Sequence, residues 1–182
     1  MNSALLIIDV QRGLFDEAPR PFEAEAVLAR INGLADRARA AGVPVVFIQH
    51  ERSSGHLEYP SESWQLARGL VFTEGDLVVR KTTPDAFLRT TLLDLLSAWS
   101  TEQLMICGYA SEFCVDTTTR RAAALGFPVI LAADAHTTHD KPHASAAQIR
   151  AHHNATLIDI ISFGPQIQAL PADEIRFEDW LS

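Results

Sequence analysis

The first apolar segment of the chain strongly limits the folds available to it. Residues 4–8 read Ala-Leu-Leu-Ile-Ile, an apolar run without polar alternation, and the run ends at Asp9. A strand with one solvent-exposed face alternates polar and apolar residues, so this run predicts a strand covered on both faces, as in a parallel sheet. A charge at the end of such a strand is costly unless it is paired, which makes Asp9 a candidate site residue.

Further apolar segments alternate with segments of helical spacing. We predict strands over residues 43–48, 77–80, 103–107 and 129–132, with a short edge strand near Ile167. We predict helices over residues 22–41, 85–99 and 115–125, from Ser145 through the pair His152 and His153, and from Pro171 onward. This alternation predicts a three-layer α/β/α, Rossmann-like fold with a parallel sheet and right-handed crossovers.

Length and composition fit one domain that spans residues 1–182. Hydrophobic residues make up 47% of the chain and charged residues 21%, which provides for a sizeable core under a polar surface. The net charge of −8, without a basic stripe, argues against nucleic acid and anionic membranes as partners. No apolar run could span a bilayer and no signal peptide opens the chain, so we expect a cytoplasmic protein.

Cys114 is the candidate nucleophile, because it stands between the predicted strand that ends at Cys107 and the helix over residues 115–125. At a helix N-terminus, unpaired N–H groups and the helix dipole stabilise a thiolate, so we expect a lowered thiol pKa. Cys107 belongs to a buried strand, and we expect it to be an inert core thiol. Both cysteines are predicted to be reduced and not joined in a disulfide.

Two further residues would complete an activated thiol. Asp9, Lys81 and Cys114 lie at or just past the ends of three predicted strands. In an open parallel sheet the site lies beyond the carboxyl ends of the strands, so we expect these side chains to meet. A carboxylate can take the thiol proton, and an ammonium keeps that carboxylate ionised. The alternative is a structural ion pair of Asp9 with Lys81.

The turn before Cys114 has a second predicted use. Acyl transfer needs donors aimed at the developing oxyanion, and the N–H groups of the loop from Gly108 to Cys114 are candidates. We choose the backbone N–H groups of Ala110 and Cys114. Gly108 permits backbone angles that other residues avoid.

The walls of a substrate pocket are predicted from polar and aromatic residues in and around the loops 11–21, 50–69 and 134–143. The predicted substrate-binding residues are Gln11, Phe15, Gln49, Trp64, Tyr109 and Phe113, with Phe87 as a further candidate. The alternative is that the aromatic ones belong to the core. His136 and His139 follow the fifth strand, and their roles stay open between the site and a solvated or capping position.

The segments in this order resemble the isochorismatase-like cysteine hydrolases, which include nicotinamidases and N-carbamoyl amidohydrolases. The matching segments are LIIDVQ at 6–11, VRK at 79–81, CGYASEFCV at 107–115, TTRRAA at 118–123 and LAADA at 131–135. Each segment alone is a weak match, but their order and spacing are specific and cover nearly the whole chain. The resemblance implies a six-stranded parallel sheet in the order 3-2-1-4-5-6.

The resemblance also implies further features of the site and its chemistry. It implies a cis peptide at Tyr109–Ala110 and a homo-oligomer, dimer or tetramer. We expect Trp180, near the C-terminus, to pack on a neighbouring subunit. It implies that Asp9 takes the proton of Cys114, that the thiolate attacks an amide carbonyl, and that water hydrolyses the thioester. Lys81 holds Asp9 in this scheme. The expected partner is a small molecule with an amide, carbamoyl or ureido C–N bond.

Two departures from the family pattern narrow the expected chemistry. Nicotinamidases carry an Asp-x-His metal pair after the second strand, where this chain reads Gln49-His50-Glu51-Arg52. A cluster of His50, Glu51 and His56 is the alternative metal site, but we predict no metal and no other cofactor. Isochorismatases proper use no cysteine nucleophile, so Cys114 favours C–N hydrolysis over vinyl-ether hydrolysis.

Three alternatives remain at the level of sequence. One is an isochorismatase-type hydrolase of another small metabolite. The second is a non-catalytic binding protein with the same fold, against which the intact set of Asp9, Lys81 and Cys114 argues. The third is a nucleotide-binding Rossmann protein, which would carry a Gly-x-Gly-x-x-Gly turn where this chain has residues 9–13, DVQRG.

Overall fold

A computed structural model describes residues 2–177 and contains a six-stranded parallel sheet in the order β3-β2-β1-β4-β5-β6. The strands are β1 Ser3–Ile8, β2 Val45–His50, β3 Leu77–Lys81, β4 Gln103–Tyr109, β5 Val129–Thr137 and β6 Ile167–Leu170. The predicted fold class and strand order are confirmed. The order reverses between β1 and β4, where Ile8 pairs with Gly108, and ligands bind at such a switch point in open α/β sheets.

Helices connect the strands on both faces of the sheet. They are α1 Arg12–Phe15, α2 Ala24–Ala40, α3 Leu92–Ala98, α4 Asp116–Ala124 and α5 Ala146–Ile158. A π-helical turn, Ser111–Val115, leads into α4. Within residues 2–177, none of the helices has both the length and the apolar character that crossing a membrane requires.

Strand β1 explains why the first segment of the sequence is apolar throughout. Every residue of β1 is buried. Leu5 and Ile7 belong to one core cluster with the buried face of α2, whereas Leu6 and Ile8 belong to a second cluster with residues of α3, α4 and α5. Successive side chains of a strand point to opposite faces, so a strand covered by helices on both sides needs apolar residues at every position.

The predicted helix over residues 85–99 is wrong in its first half, because helix α3 begins only at Leu92. The Asp85 carboxylate accepts a hydrogen bond from the Phe87 N–H at 2.8 Å, and the Thr90 hydroxyl donates to the Ala86 carbonyl at 2.6 Å. Arg89 has a left-handed φ of 57°. Such local side-chain bonds offer the backbone an alternative to the helix, and they shorten it here.

Other boundaries also differ from the predicted ones. Strand β5 continues five residues beyond the predicted end, to Thr137, because β4 extends to Tyr109 and pairs with it past an irregularity near Gly108. The predicted loop 11–21 contains the single turn α1. No helix forms between Pro171 and residue 177, and Trp180 lies outside the described residues. The predicted N-cap of α5 is confirmed, since Ser145 Oγ accepts from the Gln148 N–H at 3.2 Å.

Gly108 is required by the close approach of β1 and β4 at the switch point. Its φ is +119°, and a Cβ atom added there would lie 2.1 Å from the Ile8 carbonyl oxygen and 2.7 Å from the Ile8 nitrogen. These are backbone atoms of a central strand, so they cannot move aside without breaking the pairing of β1.

Replacing Gly108 with Ala should therefore lower the free energy of unfolding by more than about 3 kcal/mol, measured by urea denaturation. Gly126→Ala is the matched control, because Gly126 also has a positive φ, +98°, but has nothing within 4 Å of the added Cβ. We expect that control to cost about 1 kcal/mol, from backbone strain alone. Equal losses in the two variants would show that the contact with Ile8 is unimportant.

Candidate active site

The ammonium of Lys81 is the centre of a buried polar cluster at the carboxyl edge of the sheet. Its Nζ donates to Asp9 Oδ2 at 2.8 Å, to Cys114 Sγ at 3.3 Å and to His50 Nδ1 at 3.1 Å. The Lys81 side chain is fully buried. An ammonium has three N–H donors, so these three acceptors account for all of them.

Four neighbouring strands bring these side chains together. Asp9 directly follows β1, His50 ends β2, Lys81 ends β3, and Cys114 lies in the π-helical turn after β4. One atom of a type that can ligate a metal, from each of Asp9, His50 and Cys114, lies within 4.8 Å of the other two. The three predicted catalytic side chains are therefore in one place, and the carboxyl edge of a parallel sheet is the reason.

Asp9 is held in a restrained conformation with one oxygen unused. The residue is 2% exposed and has a left-handed φ of 51°, which is uncommon for a non-glycine residue. Its Oδ2 accepts from Lys81, whereas its Oδ1 is buried without a partner among the described residues. A buried carboxylate oxygen without a donor is costly, and residues of this kind are common where they take part in chemistry.

The thiol of Cys114 does not have the lowered pKa expected from its sequence position. Burial and, after it, the negative charge of Asp9 raise the pKa of Cys114 against the opposing effect of Lys81, to about 12 in total. The residue is the fourth of the π-helical turn Ser111–Val115 and does not open a helix. Desolvation therefore outweighs the helix terminus, and the resting site holds a neutral thiol.

The turn that carries Cys114 presents an unused backbone donor. The peptide bond between Tyr109 and Ala110 is cis. The Ala110 carbonyl accepts from the N–H groups of Phe113 and Val115, at 3.0 and 3.1 Å. The Ala110 N–H itself makes no hydrogen bond with any residue in the range 2–177. A free N–H group beside the thiol is suited to stabilising a developing negative charge.

A cavity of about 270 Å³ opens onto this cluster. Its lining includes Asp9, His50, Ala110 and Cys114 together with Arg52. The remaining walls are apolar or aromatic, and they are formed by Leu14, Leu57, Pro84, Tyr109 and Phe113. A small concave site with few convergent polar groups is typical of a small-molecule site.

Of the six predicted substrate-binding residues, Tyr109 and Phe113 line this cavity. Phe113 is 54% exposed and stands at the surface of the protein. The Tyr109 hydroxyl lies 2.8 Å from His139 Nδ1, and the other ring nitrogen of His139 lies 2.8 Å from the Pro19 carbonyl. His139 therefore fixes the Tyr109 ring in the cavity wall and does not reach the thiol itself.

Gln11 and Gln49 lie behind the cavity and not in its lining, in contrast to the prediction. The Gln11 side chain donates to the carbonyls of His50 and Trp64, both at 2.9 Å, and accepts from the His50 N–H at 2.9 Å. The Gln49 side chain donates to the Trp64 carbonyl at 2.9 Å. These hydrogen bonds tie both amides to backbone groups of His50 and Trp64, so the two side chains hold the wall in place.

The other predicted aromatic contacts belong to the packing around the site. Phe15 is fully buried and meets the Tyr109 ring edge to face at 5.9 Å. Trp64 is 9% exposed and packs in the same way on Tyr59 at 4.8 Å. Phe87 is 7% exposed in the core. Sequence alone could not separate wall from core, because both need large apolar side chains.

His136 is hydrogen-bonded to the turn Ser111–Val115 that carries Cys114. The ring is fully buried, with Nδ1 2.8 Å from Ser111 Oγ and Nε2 2.8 Å from Asn154 Oδ1. The Asn154 amide donates to the Ala133 carbonyl, so its Oδ1 must accept from His136 and the Ser111 hydroxyl donates to the ring. Burial lowers the pKa of His136 to about 4, which keeps the ring neutral. Its role here is structural.

His50 is the site residue that sequence reasoning placed in a different cluster. The considered metal group of His50, Glu51 and His56 does not assemble, because Glu51 pairs with Arg80 and His56 lies against the Gly13 carbonyl. Ligand-type side chains do converge at Asp9, His50 and Cys114. The Lys81 ammonium contacts all three, so a metal ion at these atoms would lie against a positive charge.

Comparison with known proteins agrees with this architecture. A family model described as the isochorismatase domain matches residues 3–162. The protein belongs to the isochorismatase family. A solved structure described as an isochorismatase family protein superposes with a TM-score of 0.84 at 37% identity, over 93% of this chain and 98% of the other.

Relatives of this isochorismatase-family protein include proteins with named activities. A streptothricin hydrolase of Streptomyces noursei is 42% identical over 142 residues, which cover 78% of this chain and 51% of the relative. Nicotinamidase 3 of Arabidopsis thaliana is 30% identical over 178 residues, covering 89% of this chain and 81% of the relative. The chain thus spans about half the length of the streptothricin hydrolase.

The two thiols should differ in their reaction with iodoacetamide. Cys114 lines the cavity, whereas Cys107 is fully buried and its Sγ lies 3.6 Å from the Leu6 carbonyl, so Cys114 should be labelled first. Because the Cys114 pKa is about 12, its labelling rate should rise about tenfold per pH unit from about pH 7 to about pH 10.

The rate is measured by mass spectrometry of the modified peptide, with Cys114→Ala as the unlabelled control. An ordinary thiol would level off above a pH of about 8.5. A plateau in that region, or earlier labelling of Cys107, would contradict the assignment of a buried neutral thiol at Cys114.

Proposed function

We propose that this protein is a cysteine-dependent hydrolase that cleaves a C–N bond of a small amide, carbamoyl or ureido compound. The observation that carries the proposal is the single ammonium of Lys81, which contacts both the Asp9 carboxylate and the Cys114 sulfur at the cavity floor. A base, a cation and a nucleophile joined in this way are suited to nucleophilic acyl transfer.

The first half of the reaction forms a thioester. Asp9 Oδ1, which has no partner in the described structure, takes the proton of Cys114, and Sγ attacks the substrate carbonyl carbon. The electron pair of the carbonyl moves to its oxygen, and the N–H groups of Ala110 and Cys114 stabilise the negative charge. When the intermediate collapses, the C–N bond breaks and Asp9 returns the proton to the leaving nitrogen.

The second half releases the acid and restores the thiol. Asp9 takes a proton from water, the hydroxide attacks the thioester carbonyl, and the C–S bond breaks. The departing sulfur receives the proton held by Asp9. The same carboxylate therefore acts twice as base and twice as acid, and each cycle ends with the neutral thiol that burial favours.

Lys81 links the two charged forms that Asp9 and Cys114 adopt in turn. When Asp9 is ionised it balances the ammonium, and when the thiolate forms, the negative charge moves to an atom 3.3 Å from the same Nζ. The positive charge thus stays paired throughout, which lowers the cost of moving a proton inside a dry site. Water is largely excluded, since Lys81 and Asp9 are nearly fully buried.

His50 serves as a positioning residue for Lys81. An ammonium has no lone pair, so the 3.1 Å contact requires an unprotonated Nδ1 that accepts from Nζ. Burial and the charge of Lys81 lower the pKa of His50, which favours this neutral form. The third N–H of Lys81 is thereby held, and the other two remain directed at Asp9 and Cys114.

The comparisons support the reaction class without naming the substrate. Nicotinamidase 3 is named for an amide, and the streptothricin hydrolase is named as a hydrolase. The proposed substrate is a small molecule, the reaction is proposed to need no metal, and assembly into a dimer or tetramer stays a prediction.

Replacing Cys114 with Ala or Ser should abolish turnover, because no other described thiol reaches the cavity. Ammonia release is measured over a panel of small amides, ureas and carbamoyl compounds, with and without a chelator. We expect a loss of at least about 1000-fold in kcat, as for removal of an essential nucleophile. Cys107→Ser is the control and should retain activity.

Two outcomes of this screen would contradict the proposal. Activity that survives in the Cys114 variants would rule out the thioester. Strict dependence on a divalent metal would overturn the reading of Lys81 as the cation of the site.

His50→Leu should reduce kcat by about 10-fold to 100-fold, because one buried N–H of Lys81 loses its acceptor. His50→Asn should retain most of the activity, since an Asn oxygen can occupy the place of Nδ1 and accept from Nζ. The measurement is steady-state kinetics on the best substrate of the screen. Equal losses in the two variants would show that His50 does not act through Lys81.

A further inference from the structure

We propose that the substrate of this site carries a carboxylate, which Arg52 binds at the mouth of the cavity. This inference rests on the proposed function, because it names the class of the compound that is hydrolysed. Arg52 lines the same cavity as the Cys114 thiol and is exposed to solvent. A guanidinium offers two parallel N–H donors that match the two oxygens of a carboxylate.

The charges around the cavity leave one positive charge unbalanced. Asp9 is paired with Lys81 at 2.8 Å. His50 is neutral, because its Nδ1 accepts from the Lys81 ammonium, and Cys114 rests as a thiol. Among the lining residues that the structure describes, Arg52 is therefore the only charged group without an opposite charge. The whole chain has a net charge of −8, so this local excess is of opposite sign to the protein.

Acidic residues near Arg52 have other partners. Glu51, the preceding residue, forms a two-point ion pair with Arg80. The carboxylate of Glu58 accepts from the Gly55 N–H at 3.2 Å. No carboxylate in residues 2–177 lies within ion-pair distance of Arg52, whereas Arg12, Arg68 and Arg80 each pair with one.

The backbone holds Arg52 at the cavity wall. Its N–H donates to the Leu57 carbonyl at 3.1 Å, and the Leu57 N–H donates to Ser63 Oγ at 3.0 Å. Leu57 is 4% exposed and lines the cavity itself. The turn over residues 52–57 is thus anchored by a buried side chain, which holds the backbone of Arg52 next to the cavity.

The cavity limits the size and shape of the compound. Its volume of about 270 Å³ equals about nine water molecules. The thiol lies close to the buried Asp9, whereas Arg52 is exposed to solvent at the mouth. The apolar lining includes Leu57, Pro84 and Phe113, which suit a short apolar body. The substrate class is therefore a small amide with a carboxylate at the end opposite the scissile bond.

Alkylation of Cys114 tests Arg52 without any knowledge of the substrate. Iodoacetate and iodoacetamide have nearly the same size, and with either one Sγ bonds to the methylene carbon, iodide leaves and the thiol proton is released to solvent. The ratio of the two rates cancels changes in thiol reactivity. We expect Arg52→Gln to lower the iodoacetate to iodoacetamide ratio about fivefold, as for one exposed charge contact.

Arg176→Gln is the matched control, because it removes the same charge from a residue outside the cavity lining. It should leave the ratio unchanged, and added salt should lower the ratio of the native chain toward that of Arg52→Gln. A ratio that stays within about twofold of native in Arg52→Gln, or that falls equally in Arg176→Gln, would overturn the inference.

Hydrolysis gives the second measurement. The native chain should have a higher kcat/KM for succinamate than for its neutral isostere 4-methylpentanamide, and Arg52→Gln should remove this preference. Faster turnover of the neutral amide by the native chain would overturn the role of Arg52 and leave the hydrolase proposal standing. If neither this pair of amides nor the panel of amides, ureas and carbamoyl compounds gives Cys114-dependent turnover, the hydrolase proposal fails. The alkylation ratio still decides whether Arg52 favours a negatively charged ligand.

Discussion

The buried contact between the Lys81 ammonium and the Asp9 carboxylate is the interaction on which the rest of the site depends. Two charges this deep in a protein are costly unless they meet with good geometry and satisfy each other's remaining hydrogen-bonding atoms. Here the ammonium uses all three donors, on Asp9, His50 and Cys114. Asp9 Oδ1 is left without a partner in the described structure, and it is the atom that the proposed chemistry needs as a base.

This arrangement explains why the thiol need not be ionised at rest. A nucleophile at a helix terminus is often activated by a depressed pKa. In this protein burial raises the Cys114 pKa, so the proposed mechanism relies on a base that accepts the proton during the reaction. Gly108 and the turn after it make this geometry possible, because only a residue without Cβ lets β4 pass so close to Ile8.

Around the cluster, one group of residues holds the site in place and a different group lines the cavity. Gln11, Gln49 and His136 are buried and form hydrogen bonds with neighbouring protein groups. Leu57 and Phe113 face the cavity from loop and turn positions. Loops on a rigid sheet commonly carry the specificity of an enzyme, since they can change without disturbing the core. Family membership agrees with the observed fold and with a hydrolase. In the proposal, substrate selection lies with Arg52 at the cavity mouth.

The amino-acid sequence was enough to predict the sheet and the meeting of Asp9, Lys81 and Cys114. Unbroken apolar runs predict parallel strands, and the carboxyl ends of such strands share an edge. The sequence pattern did not predict that the helix expected over residues 85–99 begins only at Leu92, because local side-chain hydrogen bonds compete with it before that residue. Three features of the site follow from the folded chain alone: His50 contacts Lys81, Gln11 turns away from the cavity, and burial raises the Cys114 pKa. These outcomes depend on neighbours from distant segments and on exclusion of water, which no local pattern records.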